Sequence, residues 1–223
     1  MLDYRTRTGG GETVVMLHGF GADSSDLYPL AAEMDGGGRY TWHFPQAPHR
    51  IRYGGSAFGS AWFPRNDTEV AAALEGGYFH RLEAMDPEGL RQAGAEVLEL
   101  VGSLGVDFGS VVLGGFSQGA MVAVEALVQA ERRPADLLIF SGSIIAAERW
   151  RTALSGSAPF AFFQSHGTAD PILPLDGARR LRSLLEEAGG EGEFVQFDGG
   201  HGIPPEVMGR AGARLERRRQ GSR

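Results

Sequence analysis

The stretch Gly115-Phe116-Ser117-Gln118-Gly119 sets a serine between two glycines, where an apolar run (SVVLGG, 110–115) gives way to a helix-like pattern (117–132). A turn built only for its shape needs no hydroxyl at its apex; a nucleophile does. At a sharp strand-to-helix turn, bulky side chains two positions either side of the serine collide with the backbone, and glycine at both positions relieves the crowding. The hydroxyl then stands at the carboxyl end of a sheet. The Gln118 amide and the start of the helix supply positive potential there, where a negative oxygen would form. The plain alternative is a glycine-rich turn capped by a serine; the strand before it and the helix after it favour the nucleophile.

A serine hydroxyl at neutral pH needs a base. Downstream of Ser117 the histidines are His166 and His201. His201 lies in FDGGHGIP, a glycine-rich loop after the last strand-like run, from which an imidazole can reach over a sheet. Where a serine occupies such a turn, the acid and then the histidine follow it in the chain. Asp170, in SHGTADPILP, fits the acid, because it sits on the loop after a strand and Pro171 and Pro174 stiffen that loop. Asp198 competes, but it is only three residues before His201. The acid would hold the imidazole in the right tautomer without taking the proton. His166 fits neither base nor ligand and reads as a structural group fixing the Asp170 loop. The second donor to a negative oxygen is expected after an early strand; LHGFGAD (17–23) is that loop, and the Phe20 amide would act with that of Gln118. His18 reads as structural. The histidine spacing suits no metal site.

These residues need a scaffold, and short apolar runs alternating with helix-like stretches provide it. Strands are expected at 13–19, 40–45, 110–115, 136–142, 159–167 and 193–200, and helices at 24–34, 86–105, 117–132, 174–190 and 204–220. Residues 46–66, rich in Gly, Pro, Arg and aromatics, read as a long irregular loop. The strand-like runs are continuously apolar, so they imply a mostly parallel sheet with helices on both faces. No linker divides the chain, and its 223 residues read as one domain (1–223).

Composition narrows the function. The formal net charge of −7 argues against nucleic acid as a partner. The absence of cysteine excludes a thiol nucleophile, disulfides and thiolate metal sites. No apolar run reaches the ~18 residues of a membrane span, and the N-terminus lacks a signal-peptide core, so a cytoplasmic protein without stable membrane insertion is expected. The arginine-rich end, RLERRRQGSR, reads as the solvated end of a helix rather than a lipid-binding patch.

Taken together, LHGFGAD, FPQAP, AWF, GGFSQGAMVA, SHGTADPILP and GGHGIP resemble, in order and from residue 16 to 205, the carboxylesterase/phospholipase family of α/β-hydrolases, which includes acyl-protein thioesterases and small bacterial carboxylesterases. The resemblance implies an α/β-hydrolase fold without a large cap domain. It implies a Ser117–His201–Asp170 triad, an oxyanion hole from the Phe20 and Gln118 amides, and no cofactor. Trp62-Phe63 is followed by Pro64 where the family often has aspartate, and 64–86 departs from the family in a region that commonly shapes the acyl surface. Phe20, Trp62 and Phe63 are candidates for an apolar acyl pocket, with a place in the core as the alternative for any of them. The expected activity is hydrolysis of small-molecule esters or thioesters of small to medium acyl chains. An amidase or peptidase on the same triad is the alternative within enzymes, and a non-catalytic binding module the alternative outside them.

Overall fold

The apolar runs become strands. In a computed structural model, which describes residues 1–53, 56–64 and 82–221, the described strands are β1 (Tyr4–Arg7), β2 (Glu12–Leu17), β3 (Tyr40–Pro45), β4 (His49–Tyr53), β5 (Ser56–Ala61), β6 (Val111–Phe116), β7 (Asp136–Phe140), β8 (Phe160–Gly167) and β9 (Gly190–Phe197). Among the described residues, seven of these form one sheet in the order β1-β3-β2-β6-β7-β8-β9. Its pairings are parallel except β1 with β3. From β2 the chain turns outward to β3 and later returns on the other side as β6. The crevice at the carboxyl ends of β2 and β6 is therefore the switch point at which open α/β sheets take ligands.

Helices α1 (Leu30–Met34), α2 (Leu90–Ser103), α3 (Gln118–Gln129), α4 (Ala147–Leu154), α5 (Leu175–Glu187) and α6 (Pro205–Gly221) cover the sheet. Strand residues alternate between its faces. Val15, Leu17 and Leu113 pack with Val97, Val101, Leu127, Trp150 and Leu181 from α2, α3, α4 and α5. Val14, Met16 and Val112 pack with Ala31, Met34, Val207 and Leu215 from α1 and α6. Both faces are dry, which is why these strands read as unbroken apolar runs. No described helix is long and apolar enough to cross a membrane.

Several expectations need correction. The helix expected over 24–34 is helical only from Leu30; before it the chain makes short turns (Asp26 N to Asp23 O, Tyr28 N to Ser25 O). Pro29 explains the late start, since it has no N–H to donate and crowds the preceding turn. The 46–66 loop contains an antiparallel hairpin of β4 and β5, irregular between Ile51 and Arg52. The polar edge strand β1 and helix α4, which begins after a left-handed Ala146 rather than a capping side chain, were not foreseen. Nor is the arginine-rich end simply solvated: Arg214 clamps the Asp136 carboxylate with two hydrogen bonds, and Arg218 pairs with Glu12.

Helix α3 carries a wholly buried carboxylate, Glu125. It accepts hydrogen bonds from both terminal nitrogens of Arg149 (2.8 and 2.7 Å), from the Trp150 indole (2.6 Å) and from the Gln129 amide (2.7 Å). Arg149 also grips Asp86 through two bonds of 2.9 Å. Burial opposes its charge, but the two carboxylates outweigh burial and raise its pKa. This network ties α3 and α4 to the chain at residue 86.

Candidate active site

Ser117 follows β6 and caps the start of α3 with φ 55° and ψ −118°, a left-handed conformation that costs a non-glycine residue energy and persists only where its surroundings enforce it. The flanking glycines are what permit it. A Cβ on Gly115 would lie 2.3 Å from the carbonyl carbon of Gly119, and one on Gly119 would lie 2.2 Å from the Leu17 carbonyl oxygen. The Ser117 amide is anchored to the Phe140 carbonyl at 2.9 Å. Gln118 and Gly119 open α3, where helix geometry offers their amides no carbonyl one turn earlier, while the Ala120 amide already bonds the Ser117 carbonyl at 3.1 Å.

Asp170 and His201 meet at the same end of the sheet, delivered by β8 and β9. The loops that follow these strands are knitted together by Thr168 N to Phe197 O (2.9 Å) and Ala169 N to Gly199 O (3.0 Å). They approach so closely that a Cβ on Gly167 would sit 2.2 Å from the Gly200 oxygen. Asp170 Oδ1 accepts from the amides of Ile172 (2.8 Å) and Leu173 (2.9 Å), and Oδ2 accepts from His201 Nδ1 at 2.7 Å. Burial would raise the Asp170 pKa, but the His201 and backbone hydrogen bonds outweigh it and hold the carboxyl below its ordinary value. The His201 ring lies 4.8 Å from that of Phe116, the neighbour of Ser117. The competitor Asp198 is exposed at the end of β9.

His166 is buried and bonds the Leu173 carbonyl through Nε2 at 2.7 Å, with Asp170 Oδ2 at 3.3 Å. That ties it to the Asp170 loop. Burial lowers its pKa, against the Leu173 carbonyl and Asp170.

Beside Ser117 opens a narrow, mainly apolar cleft lined by Phe20, Phe63, Met121, Ile145, Ile172 and Leu173 together with Ser117 and Gln118. Leu82 and Pro87, which follow the undescribed residues 65–81, contribute a further wall. Much of the divergent segment 64–86 thus lies outside the described residues. Phe63 and Phe20 reach this cleft as expected. Trp62 does not line it; it is fully buried behind it, with its indole N–H on the His18 carbonyl at 2.8 Å.

Met121, Ile145, Ile172 and Leu173 were missed. Met121 is one helical turn after Ser117 on the same face of α3, and Ile172-Leu173 follow the acid in DPIL, so those three had a signal. Ile145 had none.

A phospholipase/carboxylesterase family model matches residues 7–217. The chain belongs to that family. An acyl-protein thioesterase 1 from Eremothecium gossypii is 31% identical to it over 134 residues, which span 56% of this chain and 56% of that relative. The crystal structure of esterase PE8 superposes with a TM-score of 0.79 at 26% identity, over 97% of this chain and 98% of that one. The Bacillus cereus carboxylesterase shares the fold with a TM-score of 0.73 at 20% identity, over 98% and 95% of the two chains. The fold is that of the α/β-hydrolases.

Proposed function

We propose that this family member is a serine hydrolase of one domain that cleaves carboxylic esters or thioesters of small to medium acyl groups, without a cofactor, in the cytoplasm. The observation that carries the reading is the 2.7 Å bond between Asp170 and His201 at the same end of the sheet as the strained Ser117 turn.

Ser117 Oγ attacks the acyl carbonyl and its proton passes to His201 Nε2, while Asp170 holds Nδ1–H and stabilises the imidazolium. The carbonyl oxygen becomes an oxyanion held by the Phe20 and Gln118 amides, each such donor being worth about 3 kcal/mol. Collapse of the tetrahedral intermediate expels the alcohol or thiol, which leaves with the proton from His201. Water, deprotonated by His201, then attacks the acyl-serine ester, releasing the acid and restoring Ser117. No hydrogen bond from Ser117 Oγ to His201 is present among the described residues; such contacts are commonly loose without substrate and tighten in the complex. The acyl group lies in the cleft of Phe63, Met121 and Ile145.

The test is a p-nitrophenyl ester series of rising chain length with a thioester run in parallel. The reading expects turnover of short and medium chains and a fall once the acyl group outgrows the cleft. Turnover of neither ester nor thioester would remove it.

A further inference from the structure

Trp62 and His18, read from the sequence as a pocket wall and a structural residue, are joined in one buried chain of hydrogen bonds. The Trp62 amide donates to Gln118 Oε1 at 2.9 Å, and Gln118 Nε2 donates to the Phe63 carbonyl at 3.1 Å. The Trp62 indole N–H donates to the His18 carbonyl at 2.8 Å. His18 Nδ1 bonds the Gly19 carbonyl at 2.8 Å, and the Ala47 amide reaches His18 Nε2 at 3.1 Å. An amide can only donate, so Nε2 is the acceptor and Nδ1 carries the hydrogen of a neutral imidazole. Burial agrees, since it lowers the His18 pKa. The His18 and Trp62 rings also pack, with centroids 5.4 Å apart.

The ends of this chain are what give it meaning. The Gly19 carbonyl and the Phe20 amide belong to one planar peptide, so fixing the carbonyl fixes the direction of the N–H. At the other end the chain grips the side chain of Gln118, whose own amide opens α3. We infer that Trp62 is a positioning residue: with His18 and the Gln118 side chain it forms a strut that sets the two amides proposed for the oxyanion hole at a fixed separation and direction. This rests on the serine-hydrolase reading above. Donors preorganised toward the developing oxyanion act in the transition state more than in the ground state. A loosened strut therefore lowers kcat while leaving KM nearly unchanged. A merely structural Trp62 would alter stability without that split.

The experiment uses Trp62→Phe, which keeps a ring in the core and deletes the indole N–H. Gln118→Met is the second variant; it removes both side-chain bonds while keeping the Gln118 amide, and it decides the matter if Trp62→Phe does not fold. For each, kcat and KM are measured on p-nitrophenyl butyrate, together with inhibition by an alkylboronic acid, whose serine adduct is tetrahedral and anionic. The strut predicts a fall in kcat of about tenfold or more, KM within threefold, and boronate affinity weakened in step with kcat. A folded variant with kcat and boronate affinity within threefold of wild type overturns the inference. A wild-type protein that neither turns over the ester nor binds the boronate would instead overturn the reading on which the inference rests.

Discussion

Replacing Asp170 with Asn isolates what the carboxylate contributes. Its Oδ1 faces two donors, the Ile172 and Leu173 amides at 2.8 and 2.9 Å. An asparagine NH₂ cannot face two N–H groups, so its oxygen must occupy that side and its NH₂ must take the place of Oδ2. There it meets His201 Nδ1, 2.7 Å away in the native protein. Nδ1 then has to accept, the proton moves to Nε2, and the imidazole can no longer take the Ser117 proton. A wrong tautomer of this kind costs about 10⁴ in kcat, or about 5.4 kcal/mol at 1.36 kcal/mol per decade. The fold should survive, because volume and the two backbone bonds are kept; losing charge assistance costs about 1–2 kcal/mol. The Asp170 pKa is depressed in the folded state, so its stabilising effect is full above the ordinary carboxylate pKa and is lost as pH falls through the folded value. The variant should therefore lose less stability than wild type on acidification through that range. The assay is steady-state ester hydrolysis with thermal melts, using the exposed Asp198→Asn as a control that keeps its activity. Asp170→Asn within tenfold of wild type, or a more severe Asp198→Asn, would refute the assignment.

Gly119→Ala should abolish activity and cost about 1–3 kcal/mol or more, because the new Cβ would sit 2.2 Å from the Leu17 carbonyl oxygen; thermal melts and hydrolysis check both. Glu125→Ala leaves Arg149 and the Trp150 indole facing a vacated buried site, and urea denaturation should show a loss of about 3–5 kcal/mol. Deleting residues 217–223 removes the partly buried Arg218–Glu12 pair, so hydrolysis of soluble esters should be unchanged and denaturation should show a loss of about 1 kcal/mol.

The parallel sheet was legible because its strands are buried on both faces, and runs such as VVML and VVLGG carry that signature locally. The Ser117 turn was legible because its two glycines flank a serine between a strand-like and a helix-like run; the contact that requires Gly115 is local, with Gly119, whereas the one that requires Gly119 comes from Leu17 on β2. Asp170 and His201 were legible through chain order, since each follows a strand of the same sheet. What escaped depends on contacts distant in sequence. Trp62 looks like pocket material in AWF, and only the fold shows its indole on the His18 carbonyl, 44 residues away. Glu125 sits in an apolar helix, and its partners Arg149 and Trp150 arrive from another one. The β4–β5 hairpin was hidden because its sequence lacks clean alternation and its pairing is irregular near Ile51.

Whether Ser117 is the nucleophile is decided by treating the whole protein with a fluorophosphonate and mapping the adduct by peptide mass spectrometry. Stoichiometric modification of the peptide containing Ser117 is expected, with simultaneous loss of ester hydrolysis and no labelling of Ser117→Ala. Labelling that persists in a folded Ser117→Ala protein, or full ester turnover by that variant, would contradict that role.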